Sequence, residues 1–423
     1  MQGDISLPKP PKRRRPATTP KIEHRPSPPP QPDISIDEAE LEAKTSSKKD
    51  RKILIAPHKH FKRFWRWWLG LNRNERFAVI AVSLLVFGAG SLGWFTLIQP
   101  DSNPSLTLIR HPKKPKAPTT VASPLTGAQV DPALAARPVT GIMIENSDDA
   151  RPQSGLQDAG VVYEAIAEAG ITRFLALFQE GQPQYIGPVR SLRPYYIDFA
   201  APFQASIVHV GGSPDALAEV TSGGFRNLDQ FYNGAYFTRI NSRYAPHNVY
   251  TSFAKLDALN QAKGYTKSEF TGWDRKADKK LATPTAKNIQ FKISSPDFYA
   301  SYVYDPTTNT YLRAEAAQPH TELVNAGDKT GPQLHPKVVI ALVMGLSNGA
   351  LDASGAYYSN YVDYGDGQMY VFQDGGVTGG TWSKSGTNDQ FHFTEENGTP
   401  IKLDAGQTWI TLVSDPSKVI YTP

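Results

Sequence analysis

Between Phe77 and Ile98 the chain reads FAVIAVSLLVFGAGSLGWFTLI, twenty-two residues without a charge. At ~1.5 Å of rise per residue, a helix of this length crosses the ~30 Å of a bilayer's hydrocarbon. The run is apolar on every side, so it has no polar face to leave in water, unlike a helix at the surface of a globular core. It is too long, and too far from the start of the chain, for a cleaved signal peptide. The span predicts a single transmembrane helix at 77–98, and its position divides everything else.

The flanks set the expected orientation. Between His58 and Arg76 lie Lys59, Lys62, Arg63, Arg66, Arg73 and Arg76, whereas Arg110, Lys113, Lys114 and Lys116 all lie more than ten residues beyond the span. Basic residues abutting a helix resist translocation, so the N-terminus is expected in the cytoplasm and the C-terminal part outside. Trp65, Trp67, Trp68 and Trp94 are placed to sit at the two interfaces. The 58–76 segment therefore reads as juxtamembrane, with its first three tryptophans suited to a short in-plane helix.

Residues 1–57 contain PKPPKRRRP and RPSPPPQP, too polar and proline-rich to bury a core, and are read as a disordered tail. Up to Arg76 there are 18 Lys/Arg against 9 Asp/Glu, a net of +9, so within the chain total of +5 the remainder carries −4. The basic character belongs to the tail. Its expected partner is anionic inner-leaflet lipid, and no specific nucleic acid is implied. With no cysteine in 423 residues there is neither a disulfide framework nor a thiolate nucleophile.

Beyond a proline-rich stalk at 99–120, the pattern becomes globular. The fold class expected is α+β: a mixed α/β domain at 121–270, a polar linker at 271–288, and a mostly-β domain at 289–423. GVVYEAIAEAGITRFLALFQ reads as two strands around an Ala169-Gly170 turn, and FQASIVHVGG as a buried strand leaving through glycines. SFAKLDALNQAKG has a serine cap, apolar residues at helical spacing and a closing glycine, which predicts a helix. SYVYDPTTNTYLRA reads as a hairpin.

Several groups could carry chemistry. Glu164 and Glu168, four apart, are expected on one face of their strand, with Ile166 opposite Arg173 so that Arg173 lies beside both carboxylates. Such an arrangement suits holding a cation or amine; a structural ion-pair cluster is the plainer reading. In YIGPVRSLRP, Gly187-Pro188 is expected to open a short helical turn that leaves Arg190 and Arg193 on one side, a candidate site for phosphate or carboxylate. HVGGSP places His209 and Ser213 after an apolar strand, though without a nucleophile elbow. RYAPHNVY adds His247 and Asn248 on a proline-stiffened segment. No zinc, nucleotide or calcium motif is present, so no metal and no cofactor are expected.

The strings IMIENSDDARPQSGLQDAGVVYEAIAEAGITRFLALF, IGPVRSLRPYY, HVGGSP and APHNVY, in that order, resemble the YerB-like family of bacterial envelope proteins. SYVYDPTTNTYLR, GGTWSK and LDAGQTWITLV are similar to that family's paired C-terminal domain. The resemblance implies an envelope location and a two-domain architecture. It brings no catalytic residue, because the family's domains carry no established biochemical function. It leaves the register of the 161–178 hairpin open by one residue. The family's best-known members are lipoproteins, whereas this chain has no lipid-modified cysteine and is expected to be held by its 77–98 helix.

Together these readings predict a single-pass, extracytoplasmic, non-catalytic binding module for an envelope polymer or a membrane-protein partner. The competing prediction is a hydrolase or transferase of wall glycan or a phosphorylated polymer, built on Glu164/Glu168 and Arg190/Arg193. A third is a signalling role for the cytoplasmic tail.

Overall fold

The structure, a computed structural model, describes residues 67–80 and 119–423 except 352–354 and 356. The basic tail, most of the juxtamembrane segment, the apolar span beyond residue 80 and the stalk up to residue 118 lie outside the described residues. Within 67–80, residues 67–70 and 73–80 are helical. The second stretch opens on a reciprocal cap: Glu75 N–H donates to Asn72 Oδ1 at 3.1 Å and Asn72 N–H to Glu75 Oε2 at 2.8 Å. Among the described residues no helix is long and apolar enough to cross a membrane.

From residue 119 onward the protein is mostly β-sheet with few helices. The longer strands before the linker are β1 (Thr140–Glu145), β2 (Val161–Glu168), β3 (Ile171–Phe178), β4 (Ser206–His209) and β5 (Arg226–Asp229). The longer helices beside them are α1 (Pro194–Ala200), α2 (Pro214–Ser222) and α3 (Phe253–Lys263). After the linker come β6 (Asn288–Lys292), β7 (Tyr299–Asp305), β8 (Thr310–Glu315) and β9 (Gln318–Pro319). They are followed by β10 (Val338–Val343), β11 (Leu346–Leu351), β12 (Tyr357–Tyr361), β13 (Gly365–Gln373) and β14 (Gly376–Lys384). The last are β15 (His392–Glu395), β16 (Thr408–Val413) and β17 (Val419–Thr422).

One sheet takes strands from both sides of the linker, in the order β15-β14-β13-β10-β16-β2-β3-β1-β4-β5, with β11 and β12 attached beside β2. Strand β16 lies parallel to β10 on one side and to β2 on the other, with Thr408 opposite Val161. A second sheet runs β9-β8-β7-β6-β17. Strands β1 and β16 are buried throughout, as strands covered on both faces must be. Alternate side chains feed separate clusters: Met143, Tyr163 and Leu175 pack with Tyr195, Tyr196 and Phe199 of α1. Ile142, Phe174 and Trp409 pack with Phe253, Leu256 and Leu259 of α3.

The predicted local signals for α3 are present. Ser252 Oγ accepts from Lys255 N–H at 3.4 Å, and Gly264 closes the helix at φ 75°. The hairpin at 301–314 also forms, with Asp305 opposite Thr310. The linker is tied down by the C-terminal strands: Arg275–Lys276 pairs in parallel with Leu403–Asp404, and Lys276 Nζ reaches Asp374 at 2.5 Å.

Two expectations need correction. Strands β2 and β3 turn at Ala169 and Gly170, with φ of 49° and 81°, as the spacing predicts. The register, however, shifts between Ile166 and Glu168, so Arg173 stands opposite Ala165 and Thr172 opposite Ile166. An extra residue in one strand reverses which face its side chains take. Glu168 joins Arg173, while Glu164, opposite Phe174, belongs to the other face. The segment from Tyr185 to Pro194 forms no helical turn. It is extended, because its backbone groups are claimed by neighbours on both sides, and α1 begins only at Pro194.

Candidate functional site

Parallel strands β1, β4 and β5 end at Glu145, His209 and Asp229 on one edge of the sheet. Ligand sites in sheets of this kind form beyond the carboxyl ends of such strands. Here β1 and β4 separate toward that edge and the 188–192 segment enters between them. Arg190 N–H donates to Met143 O at 2.9 Å, and Val210 N–H to Arg190 O at 3.0 Å. This backbone ladder places Arg190 at the mouth.

The sequence reading missed the residue that organises this edge, Glu145. Its side chain is buried, and Oε1 accepts from Arg190 Nε at 3.1 Å and Ser147 Oγ at 3.1 Å, and pairs with His247 Nδ1 at 3.0 Å. Arg190 uses only Nε in that bond, and its terminal nitrogens have no hydrogen-bond partner among the described residues. A cavity of about 500 Å3 lies in front, lined by Arg190, Gly211, Gly212, Asp229, Arg239 and Pro246. Phe231 and Tyr232, 68% and 85% exposed, stand on its wall. Asp229 Oδ1 accepts from the N–H groups of Gly211 and Phe231 at 3.1 Å each, fixing both loops. Gly211 sits at φ +61°, and a Cβ there would meet the Phe231 ring at 3.2 Å. The edge can hold an anion against an aromatic wall.

The other predicted site residues divide. His247 supports Glu145, and Asn248 Oδ1 accepts from Arg239 at 2.9 Å, so both steady the cavity from behind. His209 is wholly buried, with Nδ1 bonded to Gly211 O at 2.8 Å and Nε2 to Asn227 Oδ1 at 3.0 Å. It shapes the glycine loop. Ser213 is a buried N-cap residue of α2 with no bond to His209, so no nucleophile–base pair exists there. Glu168, Arg173 and Arg193 form an enclosed ion cluster, with Arg193 at 2.7 Å from Glu168 and Arg173 bonded to the same carboxylate. Burial alone would raise the Glu168 carboxyl, but Arg173 and Arg193 outweigh it and hold the group below the ordinary range.

Glu164 is fully buried elsewhere. It pairs with Arg313 at 3.0 Å and accepts from Trp409 Nε1 at 3.3 Å and Thr411 Oγ1 at 3.2 Å. The two glutamates of the hydrolase reading therefore share no cleft. Among the described residues no group of His, Cys, Asp or Glu is arranged to hold a metal ion.

Residues 125–266 match the N-terminal domain, and residues 288–410 the C-terminal domain, of a protein family of unknown function, DUF3048. The chain belongs to the DUF3048 family. It is 29% identical over 317 residues to a Bacillus subtilis (strain 168) protein named "Putative lipoprotein YerB", covering 73% of this chain and 92% of that one. The crystal structure of YerB from Bacillus subtilis matches with a TM-score of 0.62 at 26% identity, covering 72% of this chain and all of that one. The expected YerB-like kinship and its two-part arrangement are thus established. In this DUF3048 chain the strand-end cavity lies wholly within the N-terminal match, and the C-terminal match ends inside β16, which flanks β2.

Proposed function

We propose that this DUF3048 protein is a non-catalytic envelope protein, anchored by the 77–98 span, which binds an anionic group of an envelope polymer at the strand-end cavity. The supporting observation is Arg190, held by one nitrogen on buried Glu145 while its remaining donors and Arg239 serve a cavity walled by exposed aromatics. A guanidinium so oriented is suited to phosphate or carboxylate, and the glycine loop allows close approach. The YerB relative's description as a lipoprotein supports the envelope location.

The test uses the intact chain in detergent with two probes, a purified phosphodiester-linked wall polymer and a neutral glycan. The phosphodiester polymer should bind and the neutral one should not. Arg190→Gln and Arg239→Gln should each weaken binding at least ~10-fold, equivalent to ~1.4 kcal/mol. Unchanged binding by both variants would sink the assignment. Topology is testable separately, because the chain contains no cysteine. In intact cells, an impermeant thiol reagent should label Ser385→Cys and spare Ser27→Cys.

A further inference from the structure

A second cavity, of about 310 Å3 and separate in its lining from the anion site, is bordered by Asp148, Arg151, Pro152, Glu315, Ala316, Pro319 and His320. Its buried acid, Glu315, is only 4% exposed, and its two oxygens are treated unequally. Oε1 accepts from Asn146 Nδ2 at 2.6 Å and faces Arg151 at 3.3 Å and Arg313 at 3.8 Å. Oε2 makes no hydrogen bond. It lies 3.3 Å from His320 Nδ1, which already accepts from Arg313 Nε at 2.9 Å. The other ring nitrogen of His320 faces Gln153 Oε1 at 2.9 Å, so the single ring proton belongs there. Burial, together with Arg313 and Arg151, holds His320 well below its usual range, and the ring stays neutral.

The surrounding charges leave an excess. Glu164, Glu315 and Asp148 face Arg313 and Arg151, three carboxylates against two guanidiniums. Arg151 is committed, donating to Asn146 Oδ1 at 3.2 Å, Asn146 O at 3.0 Å and Asp148 at 3.0 Å. Pro152, Ala316 and Pro319 supply aliphatic wall. A buried acceptor without a donor costs ~1–3 kcal/mol, which a ligand donor would recover.

We propose that this cavity binds a primary alkylammonium group, the chemistry of a lysine-type side chain. The methylene stem lies against the two prolines and Ala316, and the ammonium bonds Glu315 Oε2. A single free oxygen suits a compact point charge; a guanidinium fork needs two acceptors side by side. Binding is also linked to pH. Burial, opposed by Arg313, holds the Glu315 carboxyl up at about 7. An alkylammonium, with its ordinary pKa near ~10.4, stays charged throughout and favours the ionised carboxylate. Affinity therefore rises with pH, by about tenfold between pH 6 and 8, with a proton released at the lower end.

The experiment titrates the intact chain with Nα-acetyl-L-lysine methylamide, n-pentylamine and the norleucine counterpart. Calorimetry at pH 6, 7 and 8, in buffers of differing ionisation enthalpy, counts protons released. The first two probes separate a peptide-borne amine from a free one, and saturable binding of either supports the proposal. Glu315→Gln should remove both the amine preference and the pH dependence. Should that variant fail to fold, Asp148→Asn at the exposed rim should weaken binding about two- to threefold, and proton release by the parent protein needs no variant. Binding of neither amine, equal binding of the norleucine compound, or affinity that is flat or falling with pH would overturn it.

Discussion

Glu164 and Arg313 meet at 3.0 Å with both side chains fully buried, one on β2 and the other on β8, joining segments on opposite sides of the linker. Arg313 also donates to Tyr302 Oη, at 2.5 Å, and its guanidinium lies 4.5 Å from the centre of the Trp409 ring. Glu164→Gln leaves that cation with only Glu315, 3.8 Å away, as a carboxylate neighbour. Arg313→Met leaves the Glu164 carboxylate with two neutral donors, Trp409 and Thr411. Breaking one partner of a buried pair costs ~3–5 kcal/mol, chiefly because the survivor is an uncompensated charge. At ~2 °C per kcal/mol for a larger domain, each single variant should melt ~6–10 °C lower. The double variant Glu164→Gln/Arg313→Met removes both charges, so its loss should fall short of the summed single losses by ~2 kcal/mol. Urea unfolding of the intact chain, followed by tryptophan fluorescence, measures all three, since Trp409 contacts the pair directly. Losses that add to within ~0.5 kcal/mol would refute the pair as a coupled unit.

Burial, reinforced by neighbouring Asp198, pushes the Asp363 carboxyl up to about 7, so between about pH 4 and 7 the folded protein holds a proton that the unfolded chain has lost. Stability from this group is complete below about pH 4 and lost as pH rises through 7. The melting temperature of Asp363→Asn should therefore fall less between pH 5 and 8 than the parent's, and identical slopes would remove the effect. Gly211→Ala forces a side chain into left-handed backbone and against Phe231, and should cost ~1–2 kcal/mol in urea unfolding while weakening the strand-end cavity's ligand affinity. Ser252→Ala removes the N-cap of α3 and should cost ~1 kcal/mol by the same measurement, with the Ser252→Thr variant largely retaining stability.

The parts of the fold legible in the sequence are those written in neighbouring residues. Hairpin β2–β3 follows from two apolar runs meeting at Ala169-Gly170, and α3 from its serine cap, helical spacing and closing glycine. What local pattern does not carry is the one-residue slip between Ile166 and Glu168, and that slip separates the predicted glutamate pair. Nor can neighbouring residues announce that Glu164 will find Arg313, 149 positions along the chain. Glu145 left a faint signal, an acid ending the apolar strand TGIMIE. Its importance comes from two partners, Arg190 and His247, delivered by separate segments.

Arg190 and Arg193 show how an error in local structure becomes an error in function. Three residues apart, they would share one side of a helical turn, which made them a single anion site on paper. In extended backbone, positions three apart face opposite ways. Arg193 accordingly turns inward onto Glu168, with its side chain 3% exposed, while Arg190 keeps 25% of its side chain exposed beside Glu145. Two identical side chains so placed have different duties. A buried guanidinium fully matched to a carboxylate has little charge left for a ligand, and its loss reads out as instability. One held by a single nitrogen keeps its donors available, and its loss should read out in binding. Comparing Arg190→Gln with Arg193→Gln therefore separates the two: the first should lose ligand and keep its melting temperature, and the second should lose several degrees before binding is considered.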